Sequence, residues 1–353
     1  MLTLRLPRRA AQDRPDPRRV TLALVGLTLI LTLLSLGTGA AGLSLADMAR
    51  AIAGDGLDRR AAVILYDIRL PRLGMGLLVG AALAVSGALM QGLFRNPLAD
   101  PGVVGVGAGA SLGAVLSIVL GGMLPASLTA VFGSYLVPLA AFFGGWAATL
   151  ILYHAATSQG RTSVATMLLA GIALAALAGA VTGVLIFMAD DKQLRDLTFW
   201  GMGSLAGASW TKIAAALPLI APVLILSPLL ARGLNALALG EAQAAHLGID
   251  VERLKRLAVL GVAATAGAAV AIAGGIGFVG IVVPHLLRLF RGPDHRHLLP
   301  QAALLGGALL VAADMVARSL VAPAELPIGI VTACLGAPVF LWILLRRRGG
   351  LGI

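Results

Sequence analysis

Apolar runs of membrane-spanning length alternate with short polar breaks along almost the whole chain. A helix needs about 20 consecutive apolar residues to cross the hydrocarbon of a bilayer. Runs of that kind occupy residues 20–37, 70–93, 103–121, 132–154, 165–188 and 211–230. The stretch 257–290 is too long for one crossing and carries Gly274-Gly275 and Pro284, which predicts two spans joined by a tight bend near Gly274–Gly280. A run at 298–317 and another opened by Glu325-Leu326-Pro327 and ending at Leu345 complete the series. The runs are continuous and do not alternate residue by residue, which excludes a lipid-facing β-barrel. The pattern predicts an all-α integral membrane protein of about ten transmembrane helices.

The breaks carry the rest of the information. Gln91 to Gly102 is a polar island with two prolines, and such a turn belongs at a membrane face or beside a watery cavity, because bare backbone is not tolerated in lipid. Residues 42–68 are mixed and predict a short amphipathic helix outside the bilayer, with Arg69-Leu70-Pro71-Arg72 opening the second span. Asp190 to Asp196 reads as a highly charged loop, and Pro218, Pro222 and Pro228 are expected to break the sixth span. Arg232 to Arg256 is the longest polar interior segment. The division is then a basic cytoplasmic tail at 1–19, one transmembrane domain at 20–348 and a tail at 349–353. A cleaved signal peptide ending near Thr38-Gly39-Ala40-Ala41 is the alternative for the first span. Its apolar region exceeds a signal core of about 7–15 residues, which favours a retained anchor.

Composition agrees. The 353 residues are 59% hydrophobic and 12% charged, with mean hydropathy +0.95, outside the range of soluble domains. The 45 glycines suit close helix packing in a membrane. The net charge of +11 reports topology in such a chain. With both termini inside, Lys and Arg favour the inner face by about two to one, which places the island inside. Arg253, Lys255 and Arg256 are expected to anchor to anionic lipid head groups. Cys334 is the one cysteine and forms no internal pair. Gly105-x-Gly107-x-Gly109 opens a membrane helix and reads as packing, not nucleotide binding. No G-x-x-x-x-G-K-[ST] loop occurs, so ATP-driven work needs another chain.

Five blocks, in order, resemble the FecCD-like permease family, the transmembrane subunits of ABC importers for iron-siderophores, hemin and vitamin B12. They are Arg69-Leu70-Pro71-Arg72; Gly80 to Gln91 running into Arg95-Asn96-Pro97-Leu98-Ala99-Asp100-Pro101; Leu169-Ala170-Gly171-Ile172-Ala173-Leu174; Gly277-Phe278-Val279-Gly280 with Pro284-His285 and Asp294-His295-Arg296; and Glu325-Leu326-Pro327-Ile328-Gly329. The resemblance implies a type II ABC importer permease, N-in and C-in, in the bacterial inner (cytoplasmic) membrane. It further implies a homodimer with the pathway between subunits, two cytoplasmic ATPase subunits carrying ATP and Mg, and a periplasmic binding protein. This chain would bind no cofactor and no metal and have no catalytic residue, and it would not engage nucleic acid.

The resemblance also implies roles for residues. Gly240, Glu241, Ala245, His246, Leu247 and Gly248 would form the helix that couples to the ATPase. Arg69, Arg72 and Arg318 stand at predicted outer span ends and would dock the binding protein, with interfacial snorkelling as the alternative. Arg318 has Asp314 at i−4, a possible pair. Asn96, Leu98 and Ser163 would close the cytoplasmic gate. Leu194 to Leu205 resembles the hemin-permease branch. Two copies of Arg195 across a dimer would bracket the two propionates of heme, with Met188 and Met202 as apolar contacts, so heme is the expected cargo. None of the five histidines is predicted at the outer mouth. A secondary transporter is the rival from another class. It needs ionisable residues near mid-membrane, and Asp314 is the only deep acidic candidate. An integral-membrane enzyme lacks a clustered constellation.

Overall fold

The computed structural model describes residues 15–38, 50, 58–125, 127 and 132–348. Most of the tail at 1–19, part of the 42–68 segment and residues 349–353 lie outside that range. Among the described residues the chain is almost wholly helical: α1 (Pro17–Gly37), α2 (Arg59–Leu93), α3 (Val106–Leu120), α4 (Leu136–Ala155), α5 (Val164–Met188), α6 (Asp191–Met202), α7 (Trp210–Leu237), α8 (Glu241–His246), α9 (Val251–Ala273), α10 (Val279–Arg291), α11 (His295–Ser319) and α12 (Ile328–Arg348). Eight of these are long and apolar enough to cross a membrane: α1 to α5, α7, α9 and α11, with α3 extended to Met123. The apolar stretch Ile328–Trp342 of α12 is shorter, and α10 has 13 residues with Arg288 and Arg291 in its last turn. The bend after α9 falls at Gly274–Phe278, as the glycines predict.

α2 is the axis of the bundle. It packs along α11, α9, α7 and α10 and is buried on nearly every side from Val79 to Leu93. Small residues make that possible. A side chain at Gly80 would overlap the Gly306 carbonyl of α11, and one at Gly306 would overlap Gly80, so the two backbones touch there. Ser86 and Thr265 share a hydrogen bond of 2.7 Å between α2 and α9, satisfying two buried hydroxyls. α1 lies outside this core. Its Thr21 hydroxyl accepts from the Gln301 amide at 3.1 Å, which ties it to α11.

Three expectations are corrected. α2 begins at Arg59 and not at Arg69, capped by Asp58, which accepts from the Ala61 N–H at 2.6 Å. The helix passes Pro71 by widening to π turns over Val63–Arg69, where the Leu70 N–H reaches back to the Leu65 carbonyl. The three prolines do not break α7. Pro228 leaves the Leu224 carbonyl without its usual N–H donor, and the Ser227 hydroxyl donates to that carbonyl at 3.2 Å. The charged Asp190–Asp196 segment is the start of α6, not a loop. Asp190 accepts from the Gln193 N–H at 2.8 Å while Gln193 accepts from the Asp190 N–H at 3.0 Å, a reciprocal cap. The Arg232–Arg256 segment is mostly helix, shared among the end of α7, α8 and the start of α9.

The α2–α11 crossing yields a first prediction. Gly80→Ala sets a methyl group against backbone, which cannot rotate away, and is expected to cost about 1–3 kcal/mol. Gly179→Ala, where a methyl group meets nothing within 4 Å, is expected to be neutral or slightly stabilising. Thermal unfolding in detergent distinguishes the two; equal melting would mean the helices part freely.

Candidate functional site

The polar island is a locked turn. α2 ends with Arg95 in the left-handed region (φ 50°), the Arg95 N–H bonded to Gly92 O at 3.3 Å and the Asn96 N–H to Gln91 O at 3.2 Å. This is the double closure that glycine normally makes, here made by an arginine. Asn96 is exposed, and its side-chain oxygen accepts from the Leu98 N–H at 3.0 Å. Leu98 is half-buried. Asp100 accepts from the Gly102 N–H at 2.8 Å and so starts a single 3-10 turn, Pro101–Val104, that leads into α3. Gln91 pins the whole turn to α10. Its amide donates to Gly280 O at 3.0 Å, and its oxygen accepts from Arg288.

A cavity of about 370 Å3 opens beside this turn, lined by Asp100, Gly107, Ser111, Trp200 and Gly277 among others. A second, of about 390 Å3, is lined by Asp196, Trp200, Ser204 and Lys212. Trp200 is common to both. It stands where the C-terminus of α6 meets the glycine bend: Ser204 N–H bonds Ala273 O at 2.8 Å, and Ile328 N–H bonds Gly203 O at 3.1 Å, so α6, the bend and α12 meet backbone to backbone. Burial pushes the Asp100 carboxyl above the usual carboxylate range, opposed by its bond from Gly102.

Arg195 on α6 and Met188 at the end of α5 are exposed, Met202 is half-buried, and none of the three lines either cavity. Arg195 makes no hydrogen bond or ion pair among the described residues. Ser163 is exposed and caps α5, accepting from the Thr166 N–H at 3.2 Å. It directly follows a two-stranded hairpin, Thr157–Ser158 paired with Arg161–Thr162, whose turn places Gln159 and Gly160 at positive φ. α8 lies between Gly240 (φ 119°) and Gly248 (φ 79°). Glu241, Ala245, His246 and Leu247 are exposed on it, and Ala244 is its buried residue.

The arginines expected at an exposed interface are buried. Arg72 donates to both oxygens of Asp314 at 2.8–3.0 Å and to both oxygens of Glu325 at 2.8–2.9 Å. Arg318 pairs with the same Asp314 at 3.2 Å, the expected i,i+4 contact, and bonds the Ser35 and Thr38 carbonyls at 2.8 Å. Arg69 donates to the Leu36 carbonyl. A guanidinium at a packed helix end finds acceptors inside the protein because leaving one unpaired there is costly. Asp314, the deep acid an ion-coupled carrier would use, is therefore committed to two arginines.

Lys255 is a second correction. It does not reach lipid head groups but is buried (1% exposed) among Glu241, Glu252 and the Thr162 carbonyl. Arg253 and Arg256 are exposed beside it. Sequence reasoning missed this residue, although a signal was present: Lys255 precedes Val259 by four and Val262 by seven, on the apolar stripe of α9. Among the described residues no group of three His, Cys, Asp or Glu side chains is placed to hold a metal ion.

Comparison with known proteins now has a geometry to refer to. The model of the FecCD transport family matches residues 27–346. The hemin transport system permease protein HmuU of Yersinia pestis is 47% identical over 335 residues, covering 95% of this chain and 98% of that protein. The vitamin B12 import system permease protein BtuC of Shigella boydii is 43% identical over 349 residues, covering 99% and 100%. A metal-chelate-type ABC transporter solved in an inward-facing conformation superposes with a TM-score of 0.81 at 32% identity, covering 94% of this chain and all of that one.

Two predictions follow from this geometry. Arg72→Ala leaves Asp314 buried with one partner fewer, and the expected loss is about 3–5 kcal/mol, read as a lower melting temperature. Arg72→Lys should recover little, because one ammonium does not span two carboxylates. Asp100 carries a pH signature. Its folded pKa lies above the unfolded value near 4, so the carboxyl's stabilising contribution is full below that pH and is lost as pH rises through the folded pKa. Asp100→Asn keeps the acceptor for Gly102 and is expected to melt above wild type at pH 7, with the gap closing toward about pH 4. A gap that does not change with pH would show that the carboxyl is not desolvated.

Proposed function

The chain belongs to the FecCD transport family and is an ABC importer permease of that family; on that premise we propose that its cargo is hemin. The observation that carries the cargo reading is Arg195. It is exposed on α6 without a partner among the described residues, five residues before Trp200, which lines both cavities. Two copies across a two-fold axis supply two guanidiniums, and heme carries two propionates that such groups bind well. The likeness to a hemin permease over nearly the full length supports this reading, while the likeness to vitamin B12 permeases makes cobalamin, or a ferric siderophore, the alternative cargo.

The same reading extends to assembly. The chain is a multi-pass membrane protein, and the proposed setting is a bacterial inner membrane with both termini cytoplasmic. α5 is exposed along most of its length, Leu169, Ile172 and Phe187 most of all, which suits a homodimer with the pathway between copies. α8 presents Leu247 and His246 to a cytoplasmic ATPase that holds ATP and Mg, and the Asn96–Leu98 turn and Ser163 close the inner end. A binding protein would meet the outer end near the Arg72 cluster, where Glu325 is the more exposed acid. Transport then needs no chemistry on the cargo: nucleotide binding on the partner changes which end is open.

The test is uptake into vesicles containing the permease and its ATPase, comparing hemin, a ferric siderophore and cyanocobalamin. ATP-dependent hemin uptake is expected. Arg195→Ala removes both guanidiniums of the dimer and should raise the half-saturating hemin concentration about a hundredfold, the loss of two charge-assisted hydrogen bonds. Preference for cyanocobalamin, or an Arg195→Ala variant with unaltered hemin uptake, would overturn the cargo; uptake driven by a proton gradient without ATP would overturn the machine.

A further inference from the structure

The ion cluster at Lys255 joins three elements: the hairpin, α8 and α9. Its ammonium has three hydrogens, and three acceptors take them: the Thr162 carbonyl of the hairpin at 2.7 Å, Glu241 of α8 at 2.8 Å and Glu252 of α9 at 3.0 Å. The other oxygen of Glu252 accepts from the Thr162 N–H at 2.9 Å, so the hairpin strand is held by both its N–H and its C=O. Lysines are rarely buried this deeply unless paired. Low local dielectric strengthens these bonds and makes a half-broken cluster costly, so the contacts tend to persist or fail together.

The three elements have different places in the transport reading. Glu241 is the first residue of α8, the helix offered to the ATPase. Thr162 is the residue before Ser163, which caps α5 and stands at the inner gate. We propose that Lys255 is the positioning residue that makes the coupling helix and the gate hairpin move as one body, so that displacement of α8 by the ATPase is delivered to the N-terminus of α5. This rests on the assignment of α8 as the ATPase contact. Sequence separation hides the device: Lys255 and Thr162 are 93 residues apart.

The test uses the permease with its ATPase in lipid nanodiscs. Spin labels are placed at Ala242→Cys on α8 and Ser158→Cys on the hairpin, both exposed, in a Cys334→Ser background. In the parent protein the distance between the labels is expected to stay the same when ATP is trapped. In Glu241→Ala and Lys255→Met it is expected to change on trapping, because α8 moves and the hairpin no longer follows. Glu241→Ala removes an exposed carboxylate and keeps the result readable if Lys255→Met fails to fold. Identical behaviour in the parent and in the variants, whether constant or shifting, overturns the proposal. ATPase retention on Leu247→Asp is measured in parallel. Loss of the ATPase supports the α8 assignment. Full retention removes that assignment and the proposal with it, whereas identical label distances with the ATPase lost on Leu247→Asp remove the proposal alone.

Discussion

A charge inside a helical bundle must find its partner inside the bundle, and the Arg72–Asp314 contact is where this chain meets that requirement most fully. The contact links α2 to α11. Through Glu325 it reaches the segment that enters α12, and through Arg318 it reaches the end of α1. Each helix could pack through small residues alone, as α2 and α11 do at Gly80 and Gly306. Glycine contacts set separation but hold register weakly, since one glycine is much like the next. A bidentate ion pair fixes both register and rotation. The ends of four helices are in this way held as a unit, while the opposite end depends on the island turn and the hairpin.

The two ends differ in kind. At one, guanidiniums and carboxylates saturate each other and leave little to rearrange. At the other, Arg95 occupies a left-handed position that glycine would fill more easily, and Asp100 is desolvated. Residues held in such conformations persist only where their surroundings over-determine them, and they concentrate where a protein changes state. Gln91, with bonds to Gly280 and Arg288, is what over-determines the island here.

Much of this was legible in the sequence, and the reason is physical. Spans follow from hydropathy because lipid forbids other backbone arrangements, so the all-helical class, the bend at Gly274 and the turn at Arg95–Asp100 could be read directly. The Asp190–Gln193 cap was written in the sequence too, but the density of charge around it suggested a loop. Continuity of α7 was not legible. The helix runs through three prolines, and only at Pro228 does a hydroxyl, that of Ser227, stand in for the missing N–H. Nor were the partners of the arginines, since Arg72 meets an acid 242 residues away. Lys255 was visible as a lysine on an apolar stripe, yet its acceptors come from a hairpin and a short helix that no local pattern connects.

α8 is bounded by Gly240 and Gly248, both at positive φ. Glycine takes such angles without strain, so the chain can turn sharply into and out of a six-residue helix. That helix has one buried residue, Ala244, to seat it on the bundle. The bond from Glu241 to Lys255 is a second mooring, placed at the first residue of the helix. Two moorings fix the direction in which so short a helix points, where one would fix only its position.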